Sequence, residues 1–300
     1  MRDSGLRVIA GCRPDGSARK RAIEDGFETL DLSEAARRAD LAVIALPDHV
    51  HESAWQQLAP ALRPGTTAGF LHGFSIRFGH VRPNPSLGVV MVAPKGPGHT
   101  LRLRYLESLG LPALVAVHQP GPDADLTRAR MLAWAAAIGS ARAAVVETTF
   151  AAEAETDLFG EQAVLCGGVM VLVRAAFETL VKAGYPADVA YMECCQELKQ
   201  LADLVYERGP AGMRTAISTT AEFGAFAAQS MDTPEVRSRM ASMLADIQSG
   251  AFAERFRADA RAGFPWLEAQ RRAAAAHPIE AAGSQVRAWL PWLAEGTTDR

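Results

Sequence analysis

The sequence predicts an open, doubly wound α/β domain over residues 1–149, followed by an all-α domain over residues 150–300. Three observations carry this. Short, nearly continuous apolar runs alternate with amphipathic segments up to Thr148, such runs stop after Phe150, and the long segments beyond carry helical periodicity. The runs are "RVIAG", "LAVIALP", "TTAGFLHGF", "GVVMVAPKG", "ALVAVHQ" and "RAAVVETT", rich in Val, Ile and Ala and closed by Gly, Pro or a polar residue. Strands of a parallel sheet covered on both faces read this way, because neither face needs a polar alternate. Between them "SARKRAIEDG", "SEAARRAD" and "LTRARMLAWAAAIG" read as helices, several closed by Gly. Strand–helix alternation of this kind makes a layered α/β sheet.

In the second half, "ETDLFGEQAVLCGGVMVLVRAAFETLVKAG", "PADVAYMECCQELKQLADLVYERG" and "TPEVRSRMASMLADIQSGAFAERFRADARAG" are helical, and "EGTTDR" reads as a loose tail. A hydrophobic fraction of 49% and a charged fraction of 22% are those of a soluble globular chain. The net charge of −3 leaves no footprint for nucleic acid or anionic lipid. "MRDSGLRVIAG" has no apolar signal region, and the longest apolar run, Ala163 to Val173, is about half a membrane span. Cys12, Cys166, Cys194 and Cys195 show no C-x-x-C spacing, which reads as reduced, buried thiols of a cytoplasmic protein.

Carboxylates open two segments that otherwise read as core. With Asp157 at 0° on a helical wheel, Glu161 falls at about 40° and Val164, Leu165, Gly168 and Leu172 continue the same side. The next helix repeats the pattern: Glu193 and Glu197 stand about 40° apart, in line with Leu201 and Leu204. The competing reading is two solvated surface pairs, since like charges at that spacing cost only a few tenths of a kcal/mol. Four convergent carboxylates with no His among them suit a hard cation, Mg²⁺ or Mn²⁺, rather than zinc or copper. They could not cluster without one.

Ligands of an α/β sheet bind beyond the carboxyl ends of its strands. Two strand ends carry reactive side chains, His72 in "GFLHGF" and Lys95 in "MVAPKGPGH". As ordinary residues these would be a hydrogen-bonded structural His and a snorkelling surface Lys. Arg13, Ser17, Arg19 and Lys20 follow the first strand and form either a site for the 2′-phosphate of NADPH or the basic first turn of a surface helix.

"VAPKGPGH", "ETDLFGEQAVLCGG", "YMECCQELK" and "MRTAISTTAEFG", in this order and spacing, resemble a ketol-acid reductoisomerase (acetohydroxy acid isomeroreductase) of the short form, from about Arg2 to Leu293. The resemblance implies an NADP-binding Rossmann-like domain and a helical domain that binds metal and substrate and interlocks with its twin in a homodimer or larger homo-oligomer. It implies two Mg²⁺, with Asp157 bridging, Glu161 completing one site, and Glu193 with Glu197 serving the other. His72, Lys95 and Glu197 are then catalytic, Ser218 binds substrate, and Arg13, Ser17, Pro47, Asp48 and Gly98 bind the cofactor. The implied reaction is Mg²⁺-dependent alkyl migration in a 2-acetolactate-type substrate, then reduction by NADPH to a 2,3-dihydroxy acid of branched-chain amino-acid synthesis.

Gln196 and Thr219 depart from the family's usual His and Asn. The family's first strand, glycine-rich pyrophosphate loop and most of the following helix have no counterpart, and residues 1–300 contain no G-x-G-x-x-G. Losing that cradle predicts weak NADPH binding. Either the true start lies upstream of Met1 or the chain is a degenerate relative, for which two readings stand open: an Mg²⁺-dependent isomerase without reductase activity, and a non-catalytic binding or oligomerisation partner.

Overall fold

A computed structural model describes residues 1–294, so the tail "EGTTDR" lies outside the described residues. The chain divides into two compact units, Met1–Asp157 and Leu158–Arg300. The first unit opens with a short 3₁₀ turn, Arg2–Ser4, stopped by Gly5 at φ 85°. It then runs β1 (Ile9–Gly11), α1 (Ser17–Glu24), β2 (Glu28–Leu30), α2 (Leu32–Arg38), β3 (Leu41–Ile44), α3 (Asp48–Leu58), β4 (Thr67–Phe70) and α4 (Phe74–Arg77). There follow β5 (Gly88–Pro94), α5 (Gly98–Leu106), β6 (Ala113–Gln119), α6 (Ala124–Ala137) and β7 (Val145–Glu147).

All six apolar runs contain strands, and the alternation with helices is as the sequence implies. The centre of the sheet shows why the runs do not alternate in polarity. Val89, Val90, Met91 and Val92 of β5 are all 0% exposed, because helices cover both faces. Gly69 lets β4 approach α6: a Cβ there would stand 2.7 Å from the Trp134 ring.

Three features of this unit differ from the sequence reading. β2, with the sequence "ETL", is a strand that no apolar run announces; its partner β1 supplies the pairing that its composition does not. β6 runs antiparallel to β5, starting where β5 ends, with Ala113 opposite Pro94. The short α5 does not carry the chain back across the sheet, and a parallel neighbour needs such a crossover. Third, the strands form two sheets rather than one, β1-β2 and β3-β4-β5-β6-β7.

The helical run continues as α7 (Phe150–Gly160), α8 (Gly168–Lys182), α9 (Ala187–Tyr191), α10 (Leu198–Arg214) and α11 (Thr219–Ala227). α12 (Pro234–Gln248), α13 (Ala251–Arg261), α14 (Pro265–Ala275), α15 (Pro278–Ala288) and α16 (Pro291–Ala294) complete it. The second unit packs around Phe177, Ala190, Tyr191, Ala282 and Val286, which join α8, α9 and α15. Gly209, at φ 71°, and Pro210 break α10, since neither continues a helix.

Phe150–Lys182 has the length and composition of a membrane span. Its first turns nevertheless carry Glu153, 1% exposed and bonded to residues of the sheet. The four cysteines are free, as their spacing implies, but they are not buried: Cys166 is exposed and the other three are half-buried. Cys166 directly follows the π-helical turn Glu161–Leu165.

Candidate active site

The first unit gathers its chemistry where β4, β5 and α7 meet. Phe150, Glu153, Ala154 and Asp157 recur at i, i+3, i+4 and i+7, a single stripe of α7. Phe150 anchors the stripe edge-on against Phe70, with ring centroids 6.3 Å apart. Gly73, just past β4, permits the close approach: a Cβ there would lie 2.3 Å from the Phe150 carbonyl oxygen. The stripe then delivers two carboxylates to the carboxyl ends of two strands.

Glu153 is the centre of the cluster. Its Oε2 accepts from His72 Nδ1 at 2.9 Å and from the Gly73 backbone N–H at 2.8 Å. Its Oε1 accepts from Lys95 Nζ at 2.7 Å. Lys95 also donates to Asp157 Oδ1 at 2.8 Å, while Asp157 Oδ2 stands 3.7 Å from His72 Nδ1. Two cations and two carboxylates thus face one another, which is how buried charge is tolerated. Arg77 and Glu155 form a separate pair, Nε to Oε1, at 2.7 Å.

The pairing fixes the protonation states. Burial pushes Glu153 toward the acid form, but the hydrogen bond and charge of His72, with those of Lys95, outweigh it and hold the pKa below the ordinary value. Burial likewise pulls His72 down, and the bond to Glu153, with the charges of Glu153, Asp48 and Asp157, overcomes it and raises the pKa. Lys95 is also raised: burial opposes the charge, and bonds to Asp157 and Glu153 prevail. At neutral pH the site therefore holds charged Glu153 and charged Lys95, and a His72 poised to exchange a proton through Nε2.

Sequence reasoning placed His72, Lys95 and Asp157 here and missed Glu153, the most buried of the four. The signal is the stripe from Phe150 to Asp157, which a pattern of acid pairs four apart does not single out. His72, Glu153 and Asp157 each offer a ligand atom within 4.8 Å of the others. Oxygen from Asp157 suits a hard divalent cation, and one of its oxygens is engaged by Lys95 while the other keeps coordinating capacity. Of the three, only Asp157 keeps an oxygen for such a cation, since Glu153 spends both of its oxygens on His72, Gly73 and Lys95.

Glu161, Glu193, Glu197 and Ser218 belong to the second unit. Both acid pairs meet a π-helical turn, which inserts an extra residue and is frequent at functional sites. Glu161–Leu165 is one, with the N–H groups of Cys166 and Gly167 both reaching the Glu161 carbonyl at 2.9 Å. Met192–Gln196 is the other, closed by the Glu197 N–H on the Met192 carbonyl at 3.1 Å. Gly167 and Gly168 make the first turn sterically available, since Cβ atoms there would stand 2.2 and 2.0 Å from the carbonyl oxygens of Gln162 and Ala163.

The π turns interrupt the 3.6-residue repeat that the helical wheel assumes. Val164, Leu165 and Leu172, expected to continue a core row, are 53%, 70% and 56% exposed. Glu193 and Glu197 are exposed as well. Ser218 caps α11, its Oγ accepting from the Ala221 N–H at 3.2 Å, which leaves its proton free to donate.

The cofactor-side residues also occupy strand ends of the first unit. Arg13 and Ser17 are exposed between β1 and α1. Arg19 and Lys20 are spent on Asp31 and Glu24, at 2.9 and 3.9 Å, and leave the cluster. Pro47 and Asp48 start α3 directly after β3, and Gly98 starts α5 after β5. No glycine-rich cradle for a dinucleotide pyrophosphate occurs in residues 1–300.

Family models match both halves of the chain. Residues 1–144 match the NADPH-binding domain of acetohydroxy acid isomeroreductase, and residues 150–292 match the C-terminal domain of ketol-acid reductoisomerase. A solved NADH-preferring ketol-acid reductoisomerase from an uncultured archean is 39% identical, with a TM-score of 0.91 over 95% of this chain and 88% of that one. The chain belongs to the ketol-acid reductoisomerase family. A semialdehyde dehydrogenase NAD-binding protein from Cupriavidus necator, solved with calcium and NAD, shares the fold alone. It has a TM-score of 0.56 and 20% identity over 81% of this chain and 93% of that one.

Proposed function

We propose that the protein isomerises and reduces 2-acetohydroxy acids such as 2-acetolactate, as the reductoisomerase family does. The observation that carries this reading is buried Glu153, which ties His72 and Lys95 to the side of Asp157 in a chain of this family. Asp157, Glu161, Glu193 and Glu197 would hold two Mg²⁺, each contributing hard, charged oxygen. When bound, Mg²⁺ polarises the substrate's ketone and hydroxyl oxygens and favours alkyl migration between the adjacent carbons. Lys95, kept charged, donates hydrogen bonds to substrate oxygen and cannot serve as a base near neutral pH. His72 keeps Nδ1 on Glu153 and moves protons at Nε2. Ser218 donates to the substrate carboxylate.

NADPH supplies hydride for the second step when bound, and Arg13 with Ser17 would read its 2′-phosphate. Residues 1–300 contain no glycine-rich segment to hold the pyrophosphate.

Mg²⁺ is expected to raise the melting temperature in a concentration-dependent way, and Asp157→Asn to remove that rise. An undiminished rise in the variant sinks the metal assignment. Arg13→Asp combined with Ser17→Asp is expected to weaken NADPH binding far more than NADH binding. Equal losses for both cofactors would show that these residues do not read the 2′-phosphate.

A further inference from the structure

The helices that follow β3 and β4 share a buried polar pair that the reductoisomerase reading does not use. His51, 4% exposed, lies one turn into α3, and Ser75, 0% exposed, lies in the first turn of α4. His51 Nδ1 stands 2.7 Å from Ser75 Oγ, and His51 Nε2 stands 2.8 Å from the carbonyl oxygen of Leu46. A carbonyl only accepts, so Nε2 carries a proton and donates it; in that tautomer Nδ1 accepts from the Ser75 hydroxyl. Edge-on contact with Phe70 at the end of β4, with ring centroids 6.0 Å apart, holds the imidazole between its two partners. Both nitrogens of a nearly inaccessible ring are thus matched, as a buried polar side chain requires.

These two bonds join two strand ends. Leu46 belongs to the turn after β3, directly ahead of Pro47 and Asp48. The Leu46–Pro47 peptide has no N–H, so its carbonyl is the one polar handle by which that peptide can be held. Ser75 comes shortly after His72 and Gly73, whose Nδ1 and backbone N–H both meet Glu153 Oε2. The Ser75 carbonyl accepts from the N–H groups of His80 and Val81 at 2.9 and 3.0 Å, so the hydroxyl grips a segment already folded back on the serine. Phe70 continues the contact to Phe150, the foot of the stripe that bears Glu153 and Asp157. Asp48 faces both sides: its Oδ1 stands 3.7 Å from His51 Nδ1, and its charge joins that of Glu153 in raising the His72 pKa against the pull of burial. Asp, His and Ser are also the residue types of a hydrolytic triad, and the geometry excludes one. A triad histidine meets serine through one nitrogen and the acid through the other. Here both approach Nδ1, Nε2 is spent on a carbonyl, and the hydroxyl is sealed from solvent.

We propose that His51 is a positioning residue of the candidate active site, locking the turn that carries Pro47 and Asp48 to the head of α4, where His72 and Gly73 meet Glu153. The ring itself meets no reacting group and acts by fixing one strand end against the other. A leucine of similar bulk would fill the space and satisfy neither the Leu46 carbonyl nor the Ser75 hydroxyl. Glutamine carries a donor and an acceptor on one planar amide and can meet both. The lock belongs to the chain alone, and its bearing on turnover rests on the reductoisomerase reading.

Residue-resolved amide hydrogen exchange on the purified protein, with metal chelated, tests the lock. In His51→Leu, exchange at Gly73, His80 and Val81 is expected to quicken more than about tenfold relative to Ala113, whose N–H is bonded to the Ala144 carbonyl beside β7. His51→Gln is expected to stay within about twofold of the wild type at all four amides, a rescue that a merely space-filling histidine would not show. Should His51→Leu fail to fold, Ser75→Ala, which removes a single oxygen and one end of the lock, takes its place with the same expectation. Turnover of 2-acetolactate with Mg²⁺ and NADPH is the second arm. Because the ring meets no substrate, His51→Leu is expected to lower kcat about tenfold with KM within about twofold, and His51→Gln to restore it. No turnover by the wild type would count against the reductoisomerase reading, and exchange alone would then decide the lock. Unchanged exchange at Gly73, an equal quickening at Ala113, a glutamine variant that behaves like the leucine variant, or a kcat that His51→Leu leaves intact would each overturn the proposal.

Discussion

The carboxylates of the first unit and those of the second differ in how their charge is balanced. Glu153 is 1% exposed and has a cation on each oxygen, with Gly73 adding a backbone donor. Glu193 and Glu197 are exposed, stand beside a π turn, and form no ion pair among the described residues. A carboxylate balanced by its own fold is part of the scaffold, and what it offers chemistry is the posture of the groups it holds. An unbalanced pair on a widened turn keeps its coordinating capacity for something that arrives from outside. The two regions should therefore respond oppositely to mutation, one in stability and the other in cation response.

Removal of the scaffold carboxylate has the largest expected effect. Glu153→Ala leaves His72 and Lys95 without their shared anion and the Gly73 N–H without an acceptor. Breaking a buried pair in this way costs about 3–5 kcal/mol. Urea titration of the metal-free protein measures it, and a loss below about 1 kcal/mol would break the comparison by showing Glu153 to be no more structural than a surface acid.

Acidity tests the same contrast more gently. His72 is raised above its ordinary 6.5, so its contribution is complete below that pH and fades as pH climbs through the folded value. Glu153 is lowered below its ordinary 4.5, so its contribution is complete above that pH and fades as pH falls through the folded value. With metal chelated, stability should be greatest between these two values and decline on both sides. Glu153→Ala should flatten the profile. A wild-type profile that keeps rising well above 6.5 would mean that the His72–Glu153 bond does not couple to folding.

Much of this contrast was written in the sequence, and the rest was hidden for identifiable reasons. The strand runs were legible because burial on both faces leaves an unbroken apolar mark, as in "GVVMVAP". β2 was not, because three residues, "ETL", make no such mark, and the reversal of β6 was not, because strand direction leaves no trace in composition. His72, Lys95 and Asp157 stood out at strand ends or beside a second acid. Glu153 did not, since its partners are 81 and 58 residues away. The π turns were invisible to a fixed 100° wheel, although the Gly167–Gly168 pair, which alone tolerates the close carbonyls there, was a usable clue.

The smallest expected effect is the sharpest separator. Glu193 and Glu197 are four apart and repel each other by a few tenths of a kcal/mol, with no ion pair among the described residues to offset it. Glu193→Gln and Glu197→Gln should therefore change metal-free stability by less than about 0.5 kcal/mol, in the stabilising direction if at all. That near-silence is informative only together with the response to Mg²⁺. If these acids exist to meet a cation, the rise in melting temperature on adding Mg²⁺ should shrink in both variants, although neither was weakened without it. A destabilisation of 2 kcal/mol or more, on the scale of a buried paired group, would place Glu193 and Glu197 in the same class as Glu153 and dissolve the distinction. An unchanged Mg²⁺ response with unchanged stability would return the pair to an ordinary solvated face.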